Sequence, residues 1–185
     1  IMRYNPVVEI ECASDHWIVK TKKEVITANH LINAAGTWGW EIGQMMGLNI
    51  PSVPVLHQYL VTNTVPAVAD RIKVGAPELP IIRDPEESWY IRLEREGLIL
   101  GPYEKDAKTW SVDGVPPEFG ADLMPPDLDA VEHIIEAAMA RVPALGDGGV
   151  KTVINGPITF TPDANPLIGP AHGIKNGWLL TGSSM

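Results

Sequence analysis

The apolar residues of this chain come in short, β-branched runs cut by Gly, Pro, Asp, Asn and Ser. Val7-Val8-Glu9-Ile10, Trp17-Ile18-Val19, Val25-Ile26 and Leu31-Ile32 follow one another, with turn formers such as Ser14-Asp15 between them. β-Branched side chains fit a pleated, half-buried surface, and breaks this frequent leave room for strands rather than long helices. The four runs are therefore expected to be successive strands of a small meander. Seventeen glycines and seventeen prolines exceed the roughly 22 of both expected from average usage, which suits a β-rich or mixed α/β protein better than a helix bundle.

The 185 residues are 45% apolar and 20% charged, enough for a buried core and too apolar for wholesale disorder. Fourteen Lys and Arg face 23 Asp and Glu, a net charge of −9, so no nucleic-acid partner is expected. No apolar run approaches the roughly 18 residues of a membrane span, and Ile1-Met2-Arg3-Tyr4 opens without a signal sequence. Cys12 is the single cysteine, which forbids an intrachain disulfide. His16, His30 and His172 lack ligand spacing, so no metal site is expected.

His30-Leu-Ile-Asn33 runs into Ala34-Ala35-Gly36-Thr37-Trp38 and then a helix-like stretch from Gly39 to Leu48. Strand, small-residue turn and helix start are the order of events at a ligand-facing crossover. From Pro51 to Thr62 a strand is expected, with His57, Tyr59 and Val61 on one face and Leu56, Gln58 and Leu60 on the other. Trp89–Leu93 and Leu98–Gly101 form a hairpin closed by Arg95-Glu96-Gly97, with Tyr90 and Arg92 on one face. Residues 109–124 are expected to be a surface loop. Asp127 is expected to cap a helix whose apolar face is Leu128, Val131, Ile134, Ile135, Ala138, Met139 and Val142, ended by Pro143. Gly146-Asp-Gly-Gly149 reads as its C-terminal stop. Val150–Ile154, Pro166–Pro170 and Trp178–Thr181 complete the strands. The last is followed only by Gly182-Ser-Ser-Met185, so the natural polypeptide is expected to continue.

Ile32-Asn-Ala-Ala-Gly-Thr-Trp38, Val55-Leu-His-Gln-Tyr-Leu-Val-Thr62, Tyr90-Ile-Arg92, Leu100-Gly-Pro-Tyr-Glu104 and Asn155-Gly-Pro-Ile-Thr-Phe-Thr-Pro-Asp163 resemble, in this order, the D-amino-acid-oxidase-like FAD oxidoreductases. Within them the likeness is to the dimethylglycine and sarcosine dehydrogenase group. The resemblance implies an α+β or α/β fold: a partial, Rossmann-like FAD-binding domain (1–51), an inserted antiparallel-sheet substrate domain (52–149) and a return to the FAD-binding domain (150–185). Neither G-x-G-x-x-G nor G-x-x-x-x-G-K-[ST] occurs, so this piece is expected to lack the dinucleotide motif, to hold FAD poorly and to be inactive alone.

By the same resemblance FAD is the cofactor, met by Val7, Ala35, Gly36, Trp38, Gly182 and Ser183. On local grounds Ala34 to Trp38 reads equally as tight helix-to-sheet packing. His57 and Tyr90 are implied to sit beside flavin and amine as the catalytic pair, although by themselves they read as a satisfied strand histidine and an edge aromatic. Tyr59 and Arg92 are assigned to the substrate. Arg92 suits a carboxylate through two parallel hydrogen bonds, and a solvated ion pair equally. The implied reaction oxidises the C–N bond of dimethylglycine or sarcosine, with electron-transfer flavoprotein or oxygen as acceptor and tetrahydrofolate as a further partner in the whole protein. The compartment would be the cytoplasm, or the mitochondrial matrix in a eukaryote. Alternatives are a non-catalytic binding module of this fold, or the same fold acting on another amino acid or glycerol 3-phosphate.

Overall fold

The computed structural model describes residues 1–120 and 122–184. In chain order come β1 (Val7–Cys12), β2 (Trp17–Thr21), β3 (Val25–Ala28), β4 (Leu31–Asn33), α1 (Gly39–Met45), β5 (Val53–Thr62), α2 (Pro66–Lys73), β6 (Ile82–Asp84), β7 (Trp89–Glu94), β8 (Gly97–Pro102), α3 (Glu132–Arg141), α4 (Ala144–Asp147), β9 (Val150–Phe160), β10 (Leu167–Pro170) and β11 (Gly177–Thr181). The architecture is mixed α+β, as expected. Two compact units form, one from residues 1–55, 109–119 and 158–185, the other from 56–108 and 120–157.

In the first unit β1, β2 and β3 make the expected antiparallel meander. Ile10, Trp17 and Val19 bury one face of it with Met46, and the Trp17 indole donates to the Asn176 carbonyl at 3.1 Å. The fourth run does not join. β4 pairs in parallel with β11, which pairs antiparallel with β10. A three-residue strand carries too little pattern to name its partner, and this one lies some 145 residues further along the chain. The stretch 109–119, expected as a surface loop, instead contributes to this unit's interior: Val115 is buried, and the rings of Trp110 and Phe119 lie 4.6 Å apart.

The second unit is built on the order β6-β7-β8-β5-β9. β8 is buried along its whole length, which a Gly-Leu-Ile-Leu-Gly-Pro run requires of a central strand. Its hairpin with β7 closes through Arg95 and Glu96, with Arg95 at φ 56°. On β5 the expected alternation holds, with Gln58, Leu60 and Thr62 buried and His57, Tyr59 and Val61 on the opposite, half-buried face. Ile134 and Ala138 of α3 pack with Leu60, Val65, Trp89 and Leu100 into one core.

The helix differs from expectation at both ends. A single 3-10 turn (Asp129–Val131) precedes α3, and Asp127 Oδ1 accepts from the Ala130 N–H at 3.4 Å. Leu128 and Met139 lie off the buried face, because the 3-10 turn shifts the phase of the apolar stripe. Pro143 does not end helical structure, since α4 starts directly after it and takes in Gly146. β9 runs on past Ile154 through Asn155-Gly-Pro to Phe160.

Ile134→Ala should therefore cost about 2–5 kcal/mol, whereas Leu128→Ala should stay within about 0.5 kcal/mol. Urea unfolding measures both, and equal losses would restore Leu128 to the buried stripe.

Candidate active site

In the first unit β4 and β11 lie side by side and parallel, with Asn33 in register with Leu179. Their carboxyl ends lead into Ala34-Ala35-Gly36 and Gly182-Ser183, the place where open α/β sheets bind ligands. Asn33, 1% exposed, clamps the turn: its Nδ2 donates to the Gly39 carbonyl at 2.8 Å and its Oδ1 accepts from the Ala35 N–H at 3.2 Å.

The glycines here divide by what surrounds them. Gly36 has φ +56° and no atom within 4 Å of the position a Cβ would take. A Cβ on Gly39 would fall 2.7 Å from Thr181 Oγ1, and one on Gly182 2.5 Å from Thr161 Cγ2. Tight helix-to-sheet packing therefore belongs to Gly39 and Gly182, and the open surface to Gly36. Thr181 Oγ1 is buried without a partner at the end of β11. Trp38, 37% exposed, tilts against Phe119. Val7 is half-buried against the meander core, and Ser183 is exposed. An open glycine turn, an orphaned hydroxyl and an exposed indole fit a flat ring system with polar edges such as FAD.

In the second unit the sheet brings a different group together. His57 Nδ1 lies 2.7 Å from Glu104 Oε2, and the two side chains are only 10% and 8% exposed. Glu104 Oε1 also accepts from the Gln58 N–H at 3.3 Å. A carboxylate only accepts, so Nδ1 carries the ring proton and Nε2 keeps its lone pair. Nε2 is buried and has no hydrogen-bond partner.

The ring of Tyr103 stacks on His57 at 6.1 Å and tilts against Tyr90 at 5.6 Å. Tyr90 stands opposite Gly101 in the β7–β8 ladder, and its ring lies where a Cβ on Gly101 would be, 2.0 Å from Cε1. Burial, and next the neighbouring Tyr103, push the Tyr90 phenol above its ordinary range. Tyr59 shares the His57 face.

Arg92 stands apart: it is exposed and pairs with Glu94 at 3.2 Å, as a solvated ion pair would. Glu104, Tyr103 and Gly101 all lie in the Leu100–Glu104 motif, yet the sequence assigned them no role. Register is the signal that finds them, because Val61 opposite Ile99 carries His57 toward Tyr103.

The model for the DAO family, described as FAD dependent oxidoreductase, matches residues 1–185. The chain belongs to that family. It is 44% identical over 183 residues to "Dimethylglycine dehydrogenase, mitochondrial" of Mus musculus, covering 96% of this chain and 21% of that one. To "Sarcosine dehydrogenase, mitochondrial" of Mus musculus it is 35% identical over 161 residues, covering 87% and 16%. The chain thus spans about a fifth of the length of these relatives. L-proline dehydrogenase from P. horikoshii shares its fold, with a TM-score of 0.74 at 22% identity over 98% of this chain and 44% of that one.

Gly101→Ala should displace the Tyr90 ring and destabilise the protein by about 1–3 kcal/mol, as overpacking does. A chemical denaturation midpoint equal to wild type would show that Tyr90 does not need the bare backbone of Gly101.

Proposed function

We propose that this chain is part of an FAD-dependent amine dehydrogenase or oxidase that oxidises the C–N bond of an N-methylated glycine, dimethylglycine or sarcosine. The observation that carries the reading is the buried His57–Glu104 pair, with its free Nε2 among the aromatic rings. The likeness to dimethylglycine and sarcosine dehydrogenases supports the substrate class.

FAD, when bound, supplies the hydride acceptor for the N-methyl C–H bond. Ala35, Gly36, Trp38 and Ser183 would hold it by backbone approach and ring contact, Val7 from the edge of the meander, and Gly182 by shaping the turn.

Hydride can leave only when the nitrogen lone pair is free to form the iminium product. An amine that arrives as an ammonium must first lose a proton, and His57 Nε2 is the acceptor. Glu104 holds the ring in that tautomer and stabilises the imidazolium that results. Tyr90 stays a neutral phenol and offers the substrate a hydrogen bond, while Tyr59 lines the same sheet face. Water, or tetrahydrofolate in the whole protein, resolves the iminium, and the electrons pass to electron-transfer flavoprotein or oxygen. Among the described residues no helix is long and apolar enough to cross a membrane. The names of the similar proteins support the mitochondrial matrix for a eukaryotic source, and the cytoplasm otherwise.

Anaerobic flavin reduction in the FAD-loaded enzyme tests this. His57→Asn should slow reduction by dimethylglycine on the order of 10²-fold, the usual cost of losing a positioned base, and should abolish the acid limb of the pH profile. Tyr90→Phe should slow the same step without moving that limb, because its hydroxyl titrates above the ordinary tyrosine range. The double variant should lose less than the product of the single effects. Wild-type rates and an unmoved profile in both variants would leave His57 and Tyr90 as packing residues.

A further inference from the structure

A glycine derivative carries a carboxylate, and Arg92, already paired with Glu94, is poorly placed to receive it. Among the described residues of the second unit, Lys73, Lys108 and Arg141 also pair with carboxylates: Asp70, Asp127 and Asp84. Arg71 donates to the Pro77 carbonyl. Arg83 differs from all of these. It has no carboxylate within ion-pair distance among the described residues, and it touches the aromatic cluster. Its guanidinium carbon sits 5.4 Å over the Tyr103 ring, and Nη2 donates to Tyr103 Oη at 3.2 Å.

We propose that Arg83 is the specificity residue that binds the substrate carboxylate, an inference that rests on the amine reading above. The ladder puts it in place. Arg83 stands directly opposite Tyr90 across β6 and β7, and residues opposed in this way share a sheet face. Tyr103 touches Arg83, Tyr90 and His57 together, so one ring joins the cation, the phenol and the base.

A guanidinium has five N–H donors in a rigid fork, and Tyr103 takes one. The remaining edge offers two parallel N–H groups, the geometry a carboxylate accepts. Stacking on Tyr103 fixes the plane of that fork and lowers the rotamer freedom lost when ligand binds. The amine end of the substrate then falls to Nε2 of His57 and the acid end to Arg83. The site thereby selects amines that bear a carboxylate over amines of the same size that lack one.

The test compares wild type, Arg83→Met, Arg83→Lys and Arg92→Met as FAD-loaded enzymes with verified flavin content. Trimethylglycine has the carboxylate but no nitrogen lone pair, so its calorimetric binding is read without turnover. Arg83→Met should weaken it roughly 10- to 100-fold, the usual range for a charge-assisted hydrogen-bond pair. It should raise KM for dimethylglycine more than it lowers kcat. Arg83→Lys should fall between, because a point charge lacks the fork. The selectivity for dimethylglycine over N,N-dimethylethylamine should collapse in Arg83→Met.

Unchanged KM and trimethylglycine affinity in Arg83→Met, with wild type oxidising dimethylglycine normally, would overturn Arg83 and leave the amine reading standing. A rise in KM confined to Arg92→Met would overturn Arg83 in the same way. Wild-type enzyme that fails to oxidise any N-methylglycine overturns the amine reading and this proposal with it.

Discussion

A carboxylate that is only 8% exposed needs hydrogen-bond donors, and Glu104 finds both of its own on one strand: His57 Nδ1 and the Gln58 N–H. Neighbouring positions of a strand point to opposite faces, so one donor is a side chain and the other backbone, and two bonds from consecutive residues fix the carboxylate in place. The histidine is oriented in the same act. Its proton faces Glu104, its lone pair faces away, and the stacked Tyr103 ring closes one side. Removing Glu104 would leave a buried imidazole with neither nitrogen satisfied.

The sheet register carries the rest of the second unit. His57 on β5, Tyr90 on β7 and Arg83 on β6 are far apart in sequence, yet alternation and strand pairing bring them to one face. The face assignments of His57, Tyr59, Tyr90 and Arg92 were legible in the sequence, because period-two alternation needs only the strand itself. Arg83 and Glu104 were not. Their neighbours depend on which strands pair and in what register, and a chain read alone carries no such record for a strand as short as Ile82–Asp84. Arg92 shows the converse error, since its face was right and its partner, Glu94, lay two residues along the same strand.

In the first unit the turn at Ala34 to Trp38 was legible as strand, small residues and helix start. Which glycine served packing was not, because that turns on Thr181 and Thr161, residues from the far end of the chain that reach Gly39 and Gly182. β4 was misplaced for the same reason: its parallel partner β11 lies at the far end of the chain. The family motifs crossed that gap where local pattern could not, and they brought FAD and the amine with them.

Everything proposed for the second unit requires that Glu104 hold His57 with Nδ1 protonated and Nε2 bare. Nitrogen-15 NMR of the histidine rings in the FAD-loaded enzyme, with His57 assigned by its absence from His57→Asn, reads this directly. Neutral His57 should show a protonated Nδ1 and an unprotonated Nε2, and Glu104→Ala should abolish the preference. A proton on Nε2 in the wild-type enzyme would leave no base on that nitrogen and would contradict the assignment of His57 as the proton acceptor.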